Sequence, residues 1–211
     1  AAEAYVRVPV AGDWQNFDRQ LTPYMVQPGD ALQSRLYRGI VFVGPSQSGK
    51  TQMLQTAAMH AVMCDPKPTL IVHMTSTDRN AWVEEKFDPM VQNSPEIRAR
   101  LGKGREDSTF SRKRFRGMRI TLGYPTAQTF SSHSYGAVLM TDYDHFRQVL
   151  GPADRPEGKP WDMALNRVRT YMSRGKVLAE STPAFPALDP GWRRPADTPH
   201  MMPPTEGGIV V

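Results

Sequence analysis

Gly44-Pro45-Ser46-Gln47-Ser48-Gly49-Lys50-Thr51 matches the pattern G-x-x-x-x-G-K-[ST] at every fixed position, and that pattern prescribes a chemistry. Its glycines permit a loop whose backbone N–H groups turn inward and hold phosphate oxygens. Lys50 sets a positive charge against the β- and γ-phosphates, and the Thr51 hydroxyl becomes a ligand for Mg2+. A helix opening here offers the positive end of its dipole to the same anion. The segment from Gly44 to Thr51 is expected to bind ATP with Mg2+.

Such a loop needs an acidic partner at the tip of a neighbouring strand. Tyr135-Gly136-Ala137-Val138-Leu139-Met140-Thr141-Asp142-Tyr143-Asp144 is the strong candidate, an apolar run leading straight into carboxylates. On an extended backbone Asp142 and Asp144 would share a face. Hydrolysis usually pairs a metal-side Asp with a following Glu that polarises water, but here Tyr143 follows Asp142. Two registers stay open: Asp142 on the metal side, or Thr141 there with Asp142 as the catalytic acid. The expected catalytic set is Lys50, Asp142 and Asp144, with Thr51 and Asp142 toward the metal. Ser181-Thr182-Pro183 ends another buried strand, where Ser181 or Thr182 can sense the γ-phosphate and couple its loss to movement. Glu180, at the same edge, reads as a solvated strand end.

The elements that would position these residues alternate. Strands are expected over Gly39 to Val43, Thr69 to Met74, Met118 to Leu122, Ala137 to Met140 and Lys176 to Ser181. Helices are expected over Pro28 to Leu36, Lys50 to Val62, Asp78 (as N-cap) to Phe87, Pro95 to Leu101 and Pro160 to Ser173. Strand alternating with helix implies parallel pairing through right-handed crossovers. The expected class is α/β, a P-loop NTPase of the RecA-like (ASCE) kind, with a central, mostly parallel β-sheet flanked by helices on both faces. Residues 1–37 are polar and turn-rich, 38–183 form the ATPase core, and 184–211 read as a proline-rich linker arm.

Of the 211 residues 39% are apolar and 22% charged, a globular balance with a formal net charge of +5. No apolar run is long enough for a membrane span, so no membrane partner is expected. The single cysteine, Cys64, excludes an internal disulfide and any Cys-based metal cluster, and the five histidines show no ligand spacing. The positive balance favours a polyanionic partner. It concentrates between Arg98 and Arg119, where only Glu106 and Asp107 oppose it and Gly102, Gly104 and Gly117 make the stretch loop-prone. Arg112, Arg114 and Arg116 are the candidates there, either neutralising DNA phosphates or reaching a neighbouring subunit's ATP as a trans-acting finger.

With these motifs in this order, the sequence resembles the ATPase domain of a tailed-phage terminase large subunit of the lambda-type GpA family. The resemblance runs through Thr22-Pro23-Tyr24, Gln47 to Thr51, Asp65-Pro66, Asp88-Pro89-Met90, Ser94-Pro95, Thr141 to Asp144 and Ser181-Thr182-Pro183. It continues into Gly191-Trp192 and Pro199-His200. It implies a motor that hydrolyses ATP to drive double-stranded DNA into a preformed capsid. The implied partners are the capsid portal, the small terminase subunit and further copies in a homo-oligomeric ring, in the host cytoplasm on the viral procapsid. Residues 1–37 become the adenine side, with Tyr24 against the base and Gln20 and Gln27 at its edge.

The resemblance departs at two places. Family members carry Asp-Glu at the strand tip, where this chain has Thr141-Asp142. Nothing after Pro183 resembles the family's C-terminal nuclease, so translocation without cleavage is expected and the arm would lead toward that domain. Three readings compete with the motor. A helicase-like nucleic-acid-dependent ATPase would need a second lobe, a small-molecule kinase would need a mobile lid, and a nucleotide-gated clamp would bind without hydrolysis.

Overall fold

The structure is a computed structural model that describes residues 2–182 and 208–210. A short helix α1 (Ala2–Tyr5) and an antiparallel hairpin, β1 (Arg7–Val10) and β2 (Asp13–Asn16), open the chain, followed by α2 (Val26–Gln33). The core then runs β3 (Gly39–Val43), α3 (Lys50–Met63), β4 (Thr69–Val72), α4 (Ser76–Trp82), α5 (Asp88–Asn93) and α6 (Pro95–Arg98). It continues through β5 (Arg112–Phe115), β6 (Met118–Gly123), α7 (Ala127–Ser131), β7 (Ala137–Met140), α8 (Pro160–Arg167) and β8 (Lys176–Ser181). Gly208–Val210 adds β9.

Strands β3 to β9 form one sheet of 7 strands in the order β5-β6-β4-β7-β8-β3-β9. Every pairing is parallel except the β5–β6 edge. The inner strands β4, β7 and β8 are buried at every position, as continuous apolar runs covered on both faces must be. Alternation divides their side chains between two cores. Ile40, Phe42, Ile71, Leu139 and Leu178 pack with α3 and the helices α2, α4, α5 and α6. Val41, Leu70, Val72, Val138, Met140, Val177 and Ala179 pack with Phe130 of α7 and with Trp161 and Ala164 of α8. Helices thus flank the sheet on both faces, and the expected α/β class holds. No helix among the described residues is long and apolar enough to cross a membrane.

Several local expectations are corrected. Helix α4 is capped by Thr75, whose hydroxyl accepts the Asp78 N–H at 3.1 Å, so Asp78 lies inside the first turn rather than at its cap. The helix expected through Ser173 stops at Arg167 and gives way to a tighter turn broken at Met172, whose φ is 51°. The helix after Pro95 ends at Arg98. The hairpin β1–β2 appears within a segment read as turns, and Val6, Met25 and Ala31 from that segment join the main core. Strand β9 pairs with β3 from within the stretch read as an arm. The rest of that stretch, with Gly191-Trp192 and Pro199-His200, lies outside the described residues.

Trp161 lies directly on the first residue of β3. A Cβ added at Gly39 would meet its Cζ2 at 2.6 Å, so only glycine lets the indole reach the sheet. Replacing Gly39 with Ala should destabilise the domain by about 1–3 kcal/mol through overpacking. Urea denaturation checks this, and an unchanged midpoint would show that the indole can slide away.

Candidate active site

The phosphate loop leaves the C-terminal end of β3 and turns into α3, as the motif requires. Its backbone uses left-handed conformations at Gln47 (φ 63°) and Gly49 (φ 78°). The positive φ favours glycine at 49, where an added Cβ would also crowd Met25 Sδ at 3.2 Å. Lys50 is only 6% exposed, and its Nζ donates to the Pro45 carbonyl at 2.6 Å. Ser48 Oγ donates to the same carbonyl at 2.7 Å. The lysine is therefore held inside the loop and pointed across its concavity. Tyr24 braces the outside: its hydroxyl donates to the Ser48 carbonyl at 2.9 Å while the side chain stays half exposed. Gln20 and Gln27 are exposed on either side of Tyr24 in the chain.

Strand β8 is the neighbour of β3, with Ser181 opposite Val43 in parallel register. The Gly44 N–H donates to the Ser181 carbonyl at 3.2 Å, and the Asp144 N–H donates to Ser181 Oγ at 3.1 Å. One residue thus joins the start of the phosphate loop to the acidic turn beyond β7. Thr182 follows it at the partly exposed tip.

The acidic turn is not the extended backbone expected. Strand β7 ends at Met140, Asp142 takes a left-handed conformation (φ 48°, ψ 48°), and Tyr143–His145 form a single tight turn. The reason is packing. The ring of Tyr143 turns inward to Phe146 and Trp161, at centroid distances of 5.5 and 6.3 Å. Asp142 and Asp144 on either side of it stay exposed, and Asp is among the residues that tolerate this backbone. They share the rim of the site without sharing a strand face.

Three further buried polar residues, Thr141, His73 and Glu180, sit among these tips. Thr141 is turned toward β4, its hydroxyl 3.4 Å from the Val72 carbonyl and 3.2 Å from His73 Nδ1. The His73 ring packs tilted against Trp82, with centroids 4.6 Å apart, and its Nε2 has no hydrogen-bond partner among the described residues. Glu180 is 1% exposed, not a solvated strand end, because β8 is an inner strand. Its Oε1 accepts from Thr51 Oγ1 at 3.5 Å and its Oε2 is buried without a partner among the described residues. Burial, then the charge of Asp142, pushes its pKa up to about 7, against the opposing pull of Lys50 and the Thr51 hydroxyl. An acid at a strand end gives no sequence signal of burial; only the strand order reveals it.

The basic stretch is also corrected. Arg112–Phe115 is strand β5, paired antiparallel to β6, where a loop was expected. Lys113 points into the core, 2% exposed, and pairs with Asp88 at 2.6 Å. Arg112 and Arg114 face Glu106 and Asp107 at 3.6 and 3.5 Å, and Arg116 is exposed with no ion pair among the described residues. Strands β6, β4, β7 and β8 separate β5 from β3, about 24 Å at the usual strand spacing. None of these arginines is brought to the chain's own phosphate loop.

A sequence model of the family described as "Phage terminase large subunit gpA, ATPase domain" matches residues 11–201. The chain belongs to this family. The crystal structure of the HK97 bacteriophage large terminase superposes with a TM-score of 0.61 at 14% identity, covering 85% of this chain and 36% of that one. At that identity the likeness shows the fold. This chain spans about a third of the HK97 protein's length. No curated protein matches the sequence. As a terminase ATPase domain the chain uses a nucleotide, and the loop built around Lys50 and Thr51 has the chemistry to hold one.

His73 sets an acid limit on this terminase domain. Burial lowers its pKa from 6.5 to about 4, so the folded ring stays neutral while the unfolded one takes up a proton as pH falls through 6.5. Folding stability should therefore drop by about 3 kcal/mol between pH 6.5 and 4 on account of this group. Urea midpoints across that range should fall less steeply in a His73→Gln variant; equal slopes would remove His73 as the cause.

Proposed function

We propose that this domain hydrolyses ATP to translocate double-stranded DNA into a phage capsid, as the motor part of a terminase large subunit. The observation that carries the reading is the enclosed Lys50, held across a left-handed phosphate loop beside the Ser181 tip. Lys50 and the loop N–H groups bind the triphosphate, and the Tyr24 ring, already fixed against Ser48, borders the adenine with Gln20 and Gln27 nearby. Bound Mg2+ would offset charge on the phosphate oxygens, with the Thr51 hydroxyl among its holders. Asp142 and Asp144, exposed at the rim, orient the attacking water and take up its proton. Water attacks the γ-phosphorus in line as the bond to the β-bridging oxygen breaks, leaving ADP and phosphate.

Coupling runs through Ser181 and Thr182. Because Ser181 is hydrogen-bonded to Gly44 on one side and Asp144 on the other, a shift of the emptied loop is transmitted to the acidic turn. The β5–β6 edge supplies Arg114 and Arg116 on an exposed strand and turn, suited to phosphates of DNA. Arg112 lies toward the sheet edge that carries the nucleotide loop, since it pairs with Thr121 near the end of β6. In a homo-oligomeric ring it is the better placed to reach a neighbour's ATP. The remaining proposed partners are the capsid portal and the small terminase subunit, met in the host cytoplasm on the procapsid.

Lys50→Ala should lower ATP turnover by about a hundredfold or more, read as phosphate release; unchanged turnover would overturn the assignment. Replacing Arg114 and Arg116 together with Ala should weaken double-stranded DNA binding and reduce its salt dependence by about one to two counterions. Unaltered DNA affinity with lost DNA-stimulated turnover would assign them to the trans-acting role instead.

A further inference from the structure

Glu180 is the one carboxylate buried among the described residues, and its Oε1 faces the Thr51 hydroxyl that ends the phosphate loop. In the β3–β8 register it stands opposite Phe42, one pair before the tip where Val43 meets Ser181. Burying an acid is costly unless something compensates it. Among the described residues Oε1 meets only the Thr51 hydroxyl at 3.5 Å, and the enclosed Oε2 has no hydrogen-bond partner. A side chain retained purely for packing would not keep an orphaned oxygen next to the threonine that a phosphate loop offers to a cation.

The alternatives at this edge are worse placed. Thr141 has no charge, and its hydroxyl is turned to Val72 and His73 on the side of β4, away from β8. Asp142 lies beyond the strand end, exposed, on a left-handed backbone. We propose that Glu180 is the metal-side carboxylate of this site, holding the Mg2+ of bound Mg-ATP together with Thr51. The metal-side acid then lies on β8, beside the tip of β7, and Asp142 is left free to act on water. This rests on the nucleotide reading above.

The test is calorimetric binding of the non-hydrolysable analogue adenylyl imidodiphosphate to the full chain, with and without Mg2+. Glu180→Gln should keep the metal-free affinity within about twofold and lose the tightening by Mg2+ by about tenfold or more. Asp142→Asn should retain that tightening. Lys50→Ala should weaken binding with and without the metal; if it does not, the nucleotide reading fails independently of Glu180. Retention of Mg2+-dependent tightening in Glu180→Gln overturns the proposal. A second measurement needs no variant. Mn2+ bound with the analogue to wild-type chain labelled at the glutamate side-chain carboxyl with 13C should show electron–nuclear coupling to that carbon. Coupling only in chain labelled at aspartate carboxyls would overturn it.

Discussion

The site depends on parallel strands ending at one edge in the order β7, β8, β3. Parallel pairing brings their C-terminal tips side by side, and each tip contributes a different group: the acidic turn, Ser181 with Glu180, and the phosphate loop. Ser181 is the physical link, since its carbonyl and its hydroxyl each hold a neighbouring tip. Any force that displaces the loop must act on those two hydrogen bonds. The large apolar faces on either side of the sheet resist bending of the strands themselves.

Charge is arranged around that edge with unequal exposure. Lys50 and Glu180 are enclosed, where low dielectric strengthens their mutual attraction and any interaction with phosphate or metal. Asp142 and Asp144 are left in water, and Tyr143 between them keeps them there by anchoring the turn to Trp161 and Phe146. Gly39 admits that same indole to β3, so the shape of the acidic rim rests on a glycine at the opposite end of the strand. At the far edge of the sheet, Lys113 has been drawn into the core by Asp88 while Arg114 and Arg116 remain in solvent. A basic stretch that looks uniform in sequence is therefore part fold and part surface.

Much of this was legible because its signals are local. The apolar runs of β3, β4, β6, β7 and β8 and the composition of α3 announce themselves within a few residues, and the phosphate loop is specified by its own spacing. What escaped had weak apolar signals of its own or was set by packing. Strands β2 and β5 are mostly polar and β1 is only four residues long, and each is completed by hydrogen bonds to the next strand of its hairpin. The bend after Arg167 and the left-handed Asp142 follow from packing that no window of sequence contains.

Residue order alone established that a strand, a loop with the G-x-x-x-x-G-K-[ST] spacing and a helix follow one another, because those features need only neighbours along the chain. Which acid lies beneath that turn was decided by the sheet. Glu180 and Asp142 both read as carboxylates at strand ends, and only the placing of β8 between β7 and β3 encloses one and leaves the other in water.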